Sequence, residues 1–303
     1  MQRSQSFWSY QLKTAWQNMG SLAAPARAPA VVQFSRQMAS RHHSASGSPL
    51  VGPAVPEDDK LTVIVLNHKR PQNVGQIAQY VLRSGFVGRM IISNNSQAYA
   101  IEDHVKVRDP RLLLINQPEP SGVGISLELA RQHRSRYYLR VDDDIFLHPA
   151  QLQWVYWNLR AASSRPHGIF GASFSAAKNP AQEWPFVHTR SVTSPVEILN
   201  GLFAFTGEHL DEYFRLCGVL GITDQRSLMN GEDIVLSFSG THKPMVHHVG
   251  PIWECASEAS PGVALHQSRP RFYEERWKMY TELAKLKVLV PDGRGGVGRK
   301  KVS

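Results

Sequence analysis

The run Leu61-Thr62-Val63-Ile64-Val65-Leu66 constrains the fold most. Six apolar or β-branched residues without alternation fit a strand buried on both faces, which is a parallel-sheet position. Pro71 opens a predicted helix reaching about Ser84, with Val74, Ile77, Ala78, Val81 and Leu82 along one face. Gly85 stops it. Further strands are predicted at 89–93, 111–116 and 137–141, with a helix over 122–133 before the last of them. This order specifies an α/β chain with a mixed, mainly parallel sheet flanked by helices. Ligands of such sheets gather beyond the carboxyl ends of the strands. The residues to inspect are therefore Asn67–Arg70, Asn94–Asn95 and Asp142–Asp144.

Beyond the fourth strand, helices are expected at 149–160, 208–216, 231–239 and 272–289. A short strand is expected near 168–172, an extended segment at 196–205 and a late strand at 245–249. Residues 163–195 read as a long Ser-, Pro- and Gly-punctuated loop region.

Charge excludes one class of function. The first 56 residues carry five basic and no acidic residues, and the last eleven carry four and none. Together they hold the whole formal charge of +9, so the body between them is neutral. A nucleic-acid surface needs clustered Lys and Arg on the folded body, and none is expected. The acid-free, Arg- and Ser-bearing residues 1–56 read as a disordered or organelle-targeting extension, 57–290 as the folded domain, and 291–303 as a flexible basic tail. No apolar run approaches the roughly 20 residues a membrane helix needs. The sequence leaves open a cytoplasmic, an organelle-stroma or a secreted location. Two cysteines, Cys217 and Cys255, exclude a disulfide scaffold; the sequence does not decide whether they pair, and buried free thiols are the simpler reading.

The chemistry concentrates in two acidic motifs. In RVDDDIF, three carboxylates follow an apolar strand and repel one another unless a cation sits among them. Carboxylate oxygens suit a hard divalent ion, Mn²⁺ or Mg²⁺. In NGEDIVLSF, Glu232 and Asp233 begin an apolar-periodic helix after a glycine. Metal-holding carboxylates plus a separate acidic pair serve glycosyl transfer: one set holds a leaving diphosphate, the other orients or deprotonates an acceptor hydroxyl.

The order LNHKR, SNN, RVDDD, NGEDIVLSF and a late GVALHQSRPRFYEERW segment resembles nucleotide-sugar glycosyltransferases of the GT-A fold, over roughly residues 60–285. Two families are similar, the exostosin-like (family 64-like) enzymes and family 2; NGEDIVLSF matches the exostosin-like helix at more positions. The resemblance implies a metal-dependent transfer from a UDP-sugar, or another nucleotide sugar, to a carbohydrate or other hydroxyl acceptor. It implies Asp144 as the metal ligand, with Asp142 and His266 as further candidates. Asn67, Arg70, Asn94, Asn95, Asp142, Asp143 and Arg269 would meet the nucleotide sugar, and Glu232 and Asp233 would be catalytic. An exostosin-like enzyme retains anomeric configuration, whereas a family 2-like enzyme inverts with Asp233 as base. His247 and His248 are alternative late ligands; as strand neighbours they face opposite ways, so at most one can serve. Arg131, Arg134 and Arg136 are further diphosphate candidates, and Trp253 a candidate acceptor platform. A nucleotidyltransferase is disfavoured because LNHKRPQN lacks a Gly-rich basic signature after the first strand. A binding module without catalysis would need no metal.

Overall fold

The computed structural model describes residues 54–180, 183–190, 192–255, 265–291 and 297–301. The expected N-terminal extension, apart from its last three residues, lies outside them. So do residues 292–296 and the last two residues of the expected tail.

The first half follows the sequence closely. β1 (Leu61–Asn67) leads through α1 (Pro71–Val81) to β2 (Val87–Asn94), then β3 (Leu112–Asn116). α2 (Ile125–Gln132) precedes β4 (Tyr137–Asp142), the short β5 (Ile145–Phe146) and α3 (Pro149–Ala161). α2 starts three residues later than its periodicity suggests. The amides of Gly122 and Gly124 are taken by the carbonyls of Arg226 and Leu228, at 2.6 and 3.2 Å, and a Cβ on Gly122 would meet the Leu228 oxygen at 2.2 Å. That loop pairing removes the first turn from the helix.

The second half is more broken. β6 (His167–Gly168), β7 (Gly171–Phe174), β8 (Phe186–Thr189) and β9 (Ser194–Pro195) occupy the punctuated region. The segment expected to be continuously extended splits into β10 (Ile198–Leu199) and β11 (Leu202–Thr206) at Gly201, whose φ of 68° lies in the left-handed region. α4 (Gly207–Val219) and α5 (Glu232–Ser237) follow, then β12 (Met245–Val246) and β13 (Trp253–Glu254). α6 (Leu265–Ser268) and α7 (Phe272–Leu286) precede β14 (Lys287–Pro291), which pairs with β15 (Val297–Lys301). Val288 and Val290 favour strand over helix, which ends α7 before Leu289.

The main sheet has the order β3-β2-β1-β4-β11-β6-β12-β9. β3, β2, β1 and β4 are parallel, and β11 is antiparallel to β4. β10, β7 and β8 form a second sheet, and β13 pairs with β5. Every residue of β1 is buried. Leu61, Val63 and Val65 join a core with α1 and α3, while Ile64 and Leu66 join the opposite core with α2, α4, α5 and α7. The sheet is thus covered on both faces, as its unbroken apolar strand requires.

His167 and His247 lie buried beside β6 and β12, their rings stacked with centroids 5.0 Å apart. His167 Nε2 is 2.9 Å from the Ala162 carbonyl, which only accepts, so His167 carries its proton there. His167 Nδ1 therefore accepts from His247 Nε2, 2.7 Å away, and both rings are neutral. Burial lowers the pKa of His167 to about 3 and that of His247 to about 4. Below the unfolded value of about 6.5 the unfolded chain takes up two protons that the native state refuses. Stability from this pair is intact above pH 6.5 and lost as pH falls below it, by up to about 2.7 kcal/mol per pH unit. Urea unfolding of wild type and His247→Phe between pH 7.5 and 5.5 is expected to show a shallower pH slope for the variant; equal slopes would refute the argument.

Candidate functional site

The three polar turns meet at one edge of the parallel strands. Asn67 stands in register with Asn94, and Leu66 with Asp142. Beyond this edge opens a cleft of about 660 Å³. Arg70, Asn95, Asp142, Asp143, Asp144, Glu232, Asp233 and His266 line it. Asn67, Asn94 and Arg269, the remaining predicted site residues, are not among its lining residues.

The aspartates of the triplet have three different settings. Asp143 is buried and turned back towards β1. It accepts from Asn67 Nδ2 (2.9 Å), from the His68 amide (3.2 Å) and from Arg70 Nη1 (2.6 Å), while its carbonyl accepts from Asn73 Nδ2 (2.9 Å). These bonds tie the tips of β1 and β4 together. Asp144 is partly exposed, lies 3.3 Å from Arg70 Nη2, and is fixed at its carbonyl by the Cys255 amide (2.7 Å) across the β5–β13 pair. Asp142 receives Arg140 Nη1, and its amide donates to the Gly201 carbonyl at 2.9 Å. Burial in the recess, reinforced by Asp144, Asp143 and Glu232 and opposed by Arg140, pushes the Asp142 carboxyl up to about 7.

α5 supplies the facing acids. Gly231 has φ of 90°, in the left-handed region that favours glycine, and a Cβ there would meet the flexible end of Met279 on α7 at 2.5 Å. Asp233 is held in two-pronged fashion by Arg276, at 2.9 and 2.7 Å, and its Oδ1 also accepts from the Ile234 amide. Arg276 donates to Asn230 Oδ1 as well (3.1 Å) and lies against the rings of Trp184 and Phe272. Glu232 lies 3.5 Å from Arg140 Nη2; burial first, then Asp233, raises its pKa.

Two residues of this centre carried no assigned role in the sequence: Arg140 and Arg276. A charged residue inside the apolar strand YYLRVD was the available signal for the first, since a buried guanidinium demands partners. Trp184, Phe272 and Tyr273 form one wall of the cleft with His266, whose ring centroid is 6.2 Å from that of Phe272. Nothing in the periodicity of the 163–195 region pointed to Trp184.

Other candidates lie elsewhere. Arg269 pairs with Glu275 at 2.8 Å. Asn94 is committed to Ser96, Tyr99 and Asn116. Arg131 pairs with Glu128, and Arg136 with Asp59; Arg136 sits at the opposite end of β4 from Asp142. His247 is spent on His167, and the His248 amide binds Thr193. Trp253 packs against the core. Cys217 and Cys255 are both free thiols.

The donor set fits a hard divalent cation. Among the lining residues, six carboxylates (Asp142, Asp143, Asp144, Glu232, Asp233 and Glu254) face five basic side chains (Lys69, Arg70, Arg140, Arg190 and Arg276), a surplus of one negative charge. Burial first, then the neighbouring acids, raises the pKa of Asp142. Among the described residues no three His, Cys, Asp or Glu side chains converge in metal-binding geometry, so a cation here would complete its shell with ligand oxygens.

No protein-family model matches the sequence, and no curated protein matches it. The fold is similar to the solved structure of GalNAc-T7 with UDP, GalNAc and Mn²⁺, with a TM-score of 0.51 at 10% sequence identity. The match covers 75% of this chain and 48% of that one, so the chain spans about half the length of its neighbour. A second match, to CMP:2-keto-3-deoxy-manno-octonic acid synthetase complexed with CTP, has a TM-score of 0.35 at 13% identity over 52% of this chain and 78% of that one. The architecture is therefore a mixed α/β sheet similar to that of a GT-A glycosyltransferase. Among the described residues no helix is long and apolar enough to cross a membrane.

Proposed function

We propose that the chain is a divalent-cation-dependent glycosyltransferase that moves a sugar from a nucleotide sugar, UDP-linked, to a hydroxyl acceptor. One observation carries the reading: the Asp142–Asp144 turn and the Glu232–Asp233 helix start line a single cleft at the carboxyl edge of a GT-A-like sheet. Asp144 and Asp142 would hold Mn²⁺ or Mg²⁺, which when bound neutralises the leaving diphosphate. Asp143 keeps the two strand tips together, and Arg70 presents its guanidinium to the phosphates. Asn95, whose Nδ2 donates to the Ser121 carbonyl at 2.7 Å and whose buried Oδ1 has no partner, offers an acceptor to an N–H on the base edge. The aromatic wall of Trp184, Phe272 and Tyr273 receives the acceptor, stacking on an apolar sugar face.

The exostosin-like, retaining form of this reading is favoured by Asp233. Both of its oxygens accept charge-assisted hydrogen bonds from Arg276, which leaves it a poor general base for an inverting attack. Glu232, raised in pKa and facing the cleft, is the group placed to exchange a proton with the acceptor hydroxyl.

Calorimetric titration with UDP, with and without Mn²⁺, is the direct test, followed by a panel of nucleotide sugars scored for hydrolysis. Binding that depends on Mn²⁺, together with release of one sugar, is expected. Equal UDP affinity in EDTA would make the chain a binding module, and no affinity for any nucleoside diphosphate would end the reading.

A further inference from the structure

Arg140 pairs with both acidic motifs of the cleft. It lies two residues before Asp142, so the two side chains share a face of β4. It is 5% exposed, donates through Nη1 to Asp142 and reaches Glu232 Oε1 with Nη2 at 3.5 Å. The Phe203 ring lies 5.2 Å from its Cζ, and its Nε is buried without a partner. One guanidinium thus bridges an acid from each motif, residues 90 positions apart in the chain. Its contacts are monodentate on each side and its Nε–H is unmet, as is that of Arg70, whereas the Arg276–Asp233 pair is two-pronged. The Arg140 guanidinium therefore keeps hydrogen-bonding capacity that its two acids do not use.

The geometry points to Arg140 as a built-in counter-cation, a positioning residue that holds Asp142 and Glu232 on one charge and competes with an incoming divalent cation for the same carboxylates. The inference rests on the metal-dependent reading of this cleft. It adds that the chain carries its own weak substitute for the ion. Two positive charges cannot both be fully satisfied by Asp142, so Arg140 sets a ceiling on the affinity of the empty cleft for metal. The competition is lifted when a diphosphate adds negative charge, so metal and nucleotide bind with positive coupling.

The test measures Mn²⁺ affinity without nucleotide, from the free-ion electron paramagnetic resonance signal, for wild type, Arg140→Met, Arg140→Lys and Glu232→Gln. Removing the competing charge is expected to tighten Mn²⁺ binding about tenfold or more in Arg140→Met. Arg140→Lys keeps the charge and is expected to stay within about threefold of wild type. Glu232→Gln leaves Arg140 more fully committed to Asp142, so Mn²⁺ is expected to bind about threefold to tenfold more weakly, although Glu232 needs no contact with the ion. A purely structural role would weaken binding in Arg140→Met, and that result overturns the inference, as does unchanged affinity. If Arg140→Met does not fold, the opposed pair Glu232→Gln and Arg140→Lys decides: a Glu232→Gln affinity equal to wild type overturns it. The parent reading is judged separately, by UDP binding to wild type in saturating Mn²⁺. A wild type that binds UDP with Mn²⁺ while the variants fail to diverge sinks this inference alone.

Discussion

Asp144→Ala is expected to abolish the difference between UDP titrations made with and without Mn²⁺, and to lower nucleotide-sugar hydrolysis about a hundredfold or more. The carboxylate is partly exposed and makes a 3.3 Å contact with Arg70. Its removal takes an anion from a cleft that already holds surplus negative charge, so the fold loses little. The melting temperature is expected to stay close to that of wild type, since surface ion pairs contribute about 1 kcal/mol or less. The combination matters: loss of metal-dependent binding with an intact melting transition locates the defect in ligand capture. Asp143→Ala should behave in the opposite manner, because Asp143 joins β1 to β4 through Asn67 and Arg70. Retention of Mn²⁺-dependent UDP binding by Asp144→Ala would remove the central support of the transferase reading.

The largest stability loss is expected from Arg276→Met. This change leaves Asp233 buried at 6% exposure with its two-pronged partner gone, and strips Asn230 Oδ1 of its donor. Breaking a buried ion pair by deleting one member typically costs 3–5 kcal/mol, of order 4 kcal/mol here, because the remaining charge has neither water nor counter-ion. The double variant Arg276→Met with Asp233→Leu should recover much of the loss, since an apolar pair of similar volume needs no compensation. Urea denaturation at neutral pH gives both numbers, and a single-variant loss below about 1 kcal/mol would show that Asp233 has another partner. The aromatic rings near the guanidinium add dispersion that methionine partly keeps, so charge dominates the difference.

The parallel half of the fold was legible because β1 is an unbroken apolar run, its parallel neighbours are mainly apolar stretches ending in polar residues, and a strand buried on both faces has few alternatives. The carboxyl-edge rule then led directly from Asn67–Arg70 and Asp142–Asp144 to the cleft. Legibility failed where a contact far along the chain decided local structure. The Gly122–Gly124 pairing with residues 226–228 shortened α2, and Gly201 broke an otherwise extended segment. Among basic residues of the late segment, spacing could not distinguish Arg269, paired with its helix neighbour Glu275, from Arg276, which crosses to Asp233. Arg140 was visible only as an anomaly: a charge where the strand pattern asks for an aliphatic residue.

The cleft straddles the line where the sheet changes direction, between β4 and antiparallel β11. On the proposed reading, every group facing the nucleotide comes from residues 67–144, and every group facing the acceptor comes from residues 184–276. Such a division makes the two specificities separately evolvable. Exchange of the second half between related chains can change what receives the sugar while the handling of the donor is inherited intact, provided the Arg140–Glu232 link is preserved across the graft.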